Sequence, residues 1–256
     1  MVLASICGAA VGLVLGLLGG GGSVLAIPLL TYGLGLEAKP AVATSLFVVG
    51  AAALAGSGFH ARRGRVRLRV ALAFGVLGAL GGLGGAQLAR LLSGRAQLVL
   101  FSAIMLLAGA RMLRGGKGPE EEPDVAAGAA AKPGWVIAAA ALATGVLTGV
   151  VGVGGGFLIV PALVLLVGLP IRDAIGTSLL VIVLNAAGGS LGYLSYVELD
   201  LSIVVPFAVA AALTSLVGGA LSQRLSPRWL RAIFGAGIVL MGLGMLAREG
   251  YALVAG

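Results

Sequence analysis

Apolar residues run along this chain in long blocks separated by short polar punctuation. Five blocks cover about residues 2–18, 23–35, 41–59, 70–92 and 96–113, and five more cover 135–152, 156–169, 174–195, 201–222 and 229–247. Stretches such as Val70 to Leu92 and Leu201 to Leu221 approach or reach the ~20 residues that a helix needs to cross a hydrocarbon core. The pattern therefore predicts an all-α polytopic membrane protein. The second block of each series is short, because a helix of about 13 residues spans only ~20 Å against a core of ~30 Å. It either crosses at a strong tilt or pairs with the first block as a re-entrant hairpin.

The two series are copies. Residues 12 to 113, moved along by 133 positions, fall without a gap on residues 145 to 246, and about a third of the aligned positions are identical. The matches include Gly16/Gly149, Gly19/Gly152, Gly21/Gly154, Gly22/Gly155, Pro28/Pro161, Thr44/Thr177, Ser45/Ser178, Gly56/Gly189 and Ser57/Ser190. Duplication of this kind is frequent in transporters, where the solute site lies between the halves. The chain divides into a first repeat over 1–113, a linker over 114–133 and a second repeat over 134–256. The linker holds Gly115, Gly116, Pro119, Glu120, Glu121, Glu122, Pro123 and Asp124, the composition of an exposed connection.

Composition agrees with a lipid solvent. Hydrophobic residues make up 59% of the chain and charged residues 10%, far below the ~25% of an ordinary soluble domain. The formal net charge of +8 could suggest nucleic acid, but the basic residues are confined to short loops and serve better as topology signals. No nucleic-acid partner is expected. The single cysteine, Cys7, excludes an intrachain disulfide and reads as a small packing residue. The opening apolar stretch has no basic residue ahead of it and no processing site after it, so it is expected to belong to the mature fold.

Loop charges predict that the repeats are inverted. The loop His60 to Arg69 carries Arg62, Arg63, Arg65, Arg67 and Arg69, whereas its counterpart after Tyr193 carries Glu198 and Asp200 and no base. Positive loops face the cytoplasm, so the equivalent loops lie on opposite sides. Five crossings per half, or three crossings and one hairpin, satisfy this, with both termini outside. A single broken helix in each half would instead give a parallel repeat. Arg90 and Arg95 fall outside in this scheme, against the rule.

Candidate chemistry gathers at two repeated elements. Gly19, Gly20, Gly21, Gly22 and Ser23 match Gly152, Val153, Gly154, Gly155 and Gly156. Each glycine costs ~1 kcal/mol relative to alanine in a helix, so the helix is expected to break. Broken backbone at membrane depth must be buried in protein or line a wet cavity. The freed amides, with the N-terminus of a short helix beginning near Ser23 or Gly156, would form a donor-rich pocket suited to an anion. The alternative is close helix packing, which is the better account of Gly12, Gly16, Gly145 and Gly149.

The second element is Thr44–Ser45 and its copy Thr177–Ser178, near the start of an apolar helix. These hydroxyls either cap or bond the backbone one turn back, or they line the solute path. Asn185, further along, makes either an interhelix bond or a solute contact. Glu37, Asp173, Glu198, Asp200 and Glu249 all fall at segment ends, which disfavours a carboxylate relay or a cation pump. His60 is expected at a solvated helix end. No catalytic triad, paired carboxylates or zinc motif is present in the sequence, so no enzyme, metal or cofactor is expected.

The paired arrangement of a glycine turn, an apolar helix with proline (Gly19 to Pro28, Gly152 to Pro161) and a Thr-Ser-Leu helix start resembles the TauE/SafE family of permeases, the sulfite-exporter-like proteins. The resemblance covers both repeats. It implies a multi-pass permease of the inner membrane that moves small sulfur-containing anions such as sulfite, sulfoacetate or other sulfonates, with export the expected direction. Two other functions stay open: a channel-like facilitator of another small solute, and a structural subunit of a larger membrane complex. The expected partners are the lipid bilayer and a small anionic substrate, and assembly as a homo-oligomer is left open.

Overall fold

A computed structural model describes residues 2–113, 132–152, 156–221 and 236–248. All regular structure among them is helical. The first half holds α1 (Val2–Leu18), a 3-10 stretch (Gly19–Leu25), the single turn α2 (Ala26–Pro28), a π-helical turn (Leu29–Gly33), α3 (Ala38–Ala61), α4 (Leu68–Leu91) and α5 (Gly94–Leu113). The second half holds α6 (Gly134–Val151), α7 (Gly156–Leu165), α8 (Ile171–Tyr193), α9 (Leu201–Leu221) and α10 (Ala236–Arg248). Five of these, α3, α4, α6, α8 and α9, are long and apolar enough to cross a membrane. Linker residues 114–131, together with Arg224, Arg228, Arg231 and Glu249, lie outside the described residues.

Helix starts differ slightly from the sequence expectation. α3 begins at Ala38 and carries Pro40 in its first turn, where a missing N–H costs nothing. The corresponding helix α8 begins directly after Pro170. The proline inside α9, Pro206, lies further in, in the second turn of the helix.

Small residues decide how the helices pack. In lipid there is no hydrophobic drive between helices, so close backbone approach supplies the attraction. Gly8, Gly12 and Gly16 of α1 lie against Phe207, Ala211 and Ser215 of α9, and a Cβ on any of them would run into a carbonyl oxygen. By the 133-residue shift, the same contact joins α6 to α4: Gly145 meets Gly78, and Gly149 meets Gly82. The packing reading of these glycines holds. Residue numbers rise together in both pairs, so α1 runs parallel to α9 and α6 runs parallel to α4.

The centre is formed by α3 and α8, each gripped by the fourth helix of the other half. Gly50 faces Ala186, Gly56 faces Leu179 and Leu46 faces Gly189. Here the numbers run oppositely, so these two helices, which the repeat equates, lie antiparallel. Leu15, Ile27, Leu46, Phe74, Ile159, Leu179 and Phe207 are fully buried in the core. The outer faces of α4 and α9 expose Leu72, Val76, Leu80 and Leu83, and Val205, Val209 and Leu213, the stripes expected of helices that face lipid tails.

Candidate functional site

The first glycine run ends α1 and turns the chain back. Rather than an unwound break with free amides, Gly19–Leu25 forms a 3-10 helix, whose tighter pitch pairs each amide with the carbonyl three residues earlier. Gly22 rests on the backbone of Val14 and Leu15, where a Cβ has no room. Eleven residues on, Gly33 has come back beside Cys7: a Cβ there would lie 3.8 Å from Sγ. The segment thus retraces α1 as a hairpin. The turn packs against α7 and α8 of the other half, and Gly22 and Ser23 are buried.

In the second half α6 stops at Val151, and Gly152 takes the left-handed conformation, φ 78°. Glycine favours this helix end because it has no Cβ to clash. Its N–H donates to the Thr148 carbonyl at 2.7 Å. Its carbonyl accepts from the Ser45 hydroxyl at 2.6 Å, which is shared with the Val42 carbonyl at 2.7 Å. A side chain at 152 would strike Val42 and Ser45. Gly154 and Gly155 fall outside the described residues, while Gly156 is buried and opens α7. With 10 residues, α7 is about 15 Å long and too short to cross.

Each glycine turn therefore meets the Thr-Ser helix of the opposite half. Neither Thr-Ser pair caps its helix; the N-caps are Glu37 and Pro170. Ser178 donates to the Ile175 carbonyl at 2.8 Å, the counterpart of Ser45 to Val42. Thr44 is buried in α3. The Thr177 hydroxyl accepts the Arg67 amide at 3.0 Å, and Arg67 also pairs with Asp173. By the repeat, Asp200 corresponds to Arg67, yet it caps α9 by accepting the Ser202 amide and hydroxyl at 2.9 and 2.6 Å. Those two bonds hold its carboxyl below the usual range.

The two clusters do not merge. Ser45 lies at the level of Gly189 in the α3–α8 register, 11 residues beyond Ser178, which places the clusters about 17 Å apart along the helix. Asn185 stands between them. It is fully buried against Gly78 of α4, and neither side-chain amide atom has a hydrogen-bond partner, so the interhelix-bond reading is not met. An unpaired buried amide costs ~1–3 kcal/mol.

Two polar residues escaped the sequence reading. Gln97 of α5 and Tyr193 of α8 are fully buried beside the α6 terminus. The Gln97 amide nitrogen donates to the Val150 carbonyl at 2.8 Å and to the Tyr193 hydroxyl at 2.7 Å, while its amide oxygen has no partner. An amide within the apolar block 96–113 was the available signal. Tyr193 occupies the repeat position of His60 and gave none. His60 itself is half-buried rather than solvated, set edge-on to Phe59 at 5.6 Å between ring centroids, and its Nδ1 is buried without a partner.

Among the described residues no carboxylate lies in the middle of a span. Lipid-facing apolar helices enclosing polar groups at two helix turns define a polytopic membrane protein of the transporter class. A probable membrane transporter protein of Xylella fastidiosa (strain 9a5c) is 36% identical over 256 residues, covering 97% of this chain and 95% of its own. YdhB of Bacillus subtilis, also described as a probable membrane transporter protein, is 28% identical over 81% of this chain and 84% of its own. A probable membrane transporter protein of Methanocaldococcus jannaschii is 27% identical over 92% and 93%. Residues 4–245 match the family described as Sulfite exporter TauE/SafE, and the chain belongs to that family as a membrane transporter. No solved structure matches the chain.

Proposed function

We propose that this transporter moves small sulfur-containing anions, sulfite, sulfoacetate or other organosulfonates, out across the inner membrane. The observation that carries the reading is the cross-half contact of Ser45 with Gly152, matched by the packing of Gly19–Leu25 on α8. Two hairpins entering from opposite sides, each seated on the other half's Thr-Ser helix, suit an inverted repeat with a pseudo-twofold axis in the membrane plane. The antiparallel course of α3 and α8 supports the same relation.

In this reading the solute meets Gly19, Gly20, Gly21, Gly22, Ser23, Thr177 and Ser178 at one turn. It meets Thr44, Ser45, Gly152, Gly154, Gly155 and Gly156 at the other. Asn185, buried and unpaired midway, offers two N–H donors to an oxyanion in transit. Hydroxyls, the first-turn amides of α7 and one amide side chain, rather than cationic groups, would hold the anion. That suits passage over tight retention, since an Arg–anion pair at membrane depth is hard to release.

Export needs no pump, because a cell negative inside drives an anion outward with ~2.3 kcal/mol per charge per 100 mV. Purified protein in liposomes loaded with sulfite, under a negative-inside potassium diffusion potential at fixed pH without sodium, is expected to release sulfite faster than protein-free liposomes. Release at the protein-free rate with every sulfonate tried would reject the reading, and release only after adding sodium or a proton gradient would reject uncoupled export.

A further inference from the structure

Between α4 and α6 lies a cleft of about 380 Å³, away from both glycine turns and open to the lipid side. Its walls are Val70, Ala73, Phe74 and Leu77 on one helix and Ile137 and Ala141 on the other, all apolar. The longer wall, from Val70 to Leu77, covers eight residues, about 10 Å of helix. Arg69 stands at one end. Unlike Arg67, which is paired with Asp173, Arg69 is exposed and has no carboxylate partner among the described residues.

Two further residues set the depth of this mouth. α4 and α6 run parallel, so the first turn of each lies on the same side of the membrane. Trp135 in the first turn of α6 is 74% exposed, as aromatic residues at the headgroup level are. Lys132, exposed, precedes Gly134 of the cleft by two residues, and its amide donates to the Leu166 carbonyl at 2.9 Å, next to Val167, which also lines the cleft. Two cations at headgroup level above an apolar slot at tail level match the charge and shape of one molecule class.

The other half differs at the equivalent place. There Ser202 replaces Arg69 and Gly8 replaces Ala141 by the same 133-residue shift. Gly8 lets α1 reach the backbone of Phe207, and a Cβ would strike its carbonyl. Ala141 carries a Cβ at the equivalent place on α6, where it lines the slot.

We propose that this cleft is a binding site for one anionic phospholipid of the surrounding bilayer, with its phosphate at Arg69 and Lys132 and the upper part of an acyl chain between Phe74, Ile137 and Ala141. The site is independent of the transport reading and stands on the side carrying the arginine-rich loop His60 to Arg69.

Native mass spectrometry of the intact protein in detergent, titrated with phosphatidylglycerol or phosphatidylcholine of the same chains, tests this. The wild type is expected to retain phosphatidylglycerol preferentially at a stoichiometry of one. Arg69→Gln, an exposed change, should weaken phosphatidylglycerol about fivefold, from ~1 kcal/mol per basic residue at an anionic surface, and leave phosphatidylcholine unchanged. Ala73→Phe, which fills the slot from an exposed position, should remove retention of both lipids. Soluble glycerol phosphate should not compete. Equal retention of the two lipids by the wild type, an unchanged preference in Arg69→Gln, retained lipid in Ala73→Phe, or displacement by glycerol phosphate would each overturn the site.

Discussion

Arg67 and Asp173 clasp the two halves at one end of the molecule: Nη2 and Nε of the guanidinium lie 2.6 and 2.7 Å from the same carboxylate oxygen. The Arg67 amide adds a second tie, to Thr177. The loop between α3 and α4 is thereby fastened over the start of α8, on the helix that carries Ser178.

Because Arg67 is 58% exposed, the ion pair is expected to add little stability, no more than ~1 kcal/mol. Asp173→Asn should therefore unfold at nearly the wild-type denaturant concentration. If the clasp lies over the solute path, Asp173→Asn combined with Thr177→Val changes the rate of sulfite flux in liposomes while folding is preserved. An unchanged rate would assign the clasp to assembly alone.

Asn185 separates a structural role from a transport role. Both of its amide atoms are buried without partners, so Asn185→Leu, close in size, removes an unmet hydrogen-bonding demand. Thermal stability should stay the same or rise, by up to ~1–3 kcal/mol. Flux should fall sharply if the amide contacts the anion. A destabilised protein with wild-type flux per folded molecule would contradict both expectations.

Glycines in the two settings should fail differently. Gly145→Leu and Gly12→Leu force apart helices in backbone contact and are expected to prevent accumulation of folded protein. Ser45→Ala removes only the donor to the Gly152 carbonyl and should cost ~1–3 kcal/mol, leaving folded protein whose flux is impaired. Accumulation of the three variants in detergent-stable form, with flux, can be followed by size-exclusion chromatography and liposome assay. Wild-type flux in Ser45→Ala would remove that hydroxyl from the path.

The inverted relation has a direct test. Cys7 is the chain's one cysteine and is buried, so a single cysteine introduced at Arg65 or Glu198 reports on its own loop. The two are expected to react with an impermeant thiol reagent from opposite sides of intact cells. Reaction from the same side would end the inverted model.

The sequence by itself determined the solvent, the segments and their pairing. Apolar blocks near 20 residues exclude any element but helices in lipid, and the 133-residue repeat marks Gly149 as the equal of Gly16 without reference to coordinates. It also foretold that α1 would stop at the glycines, because propensity is local. What it could not decide was which helix each glycine touches, since α1 meets α9 and α6 meets α4 across more than 60 residues of chain. Tertiary structure alone turned the first run into a 3-10 hairpin rather than an open break, because room at Gly22 is set by Val14 and Leu15 lying alongside. It alone brought Ser45 to Gly152 and set Thr44–Ser45 apart from Thr177–Ser178 along the helix pair. Gln97 became significant only when Val150 and Tyr193 were found around it, since a hydrogen bond is a fact of three-dimensional neighbourhood that no periodicity encodes.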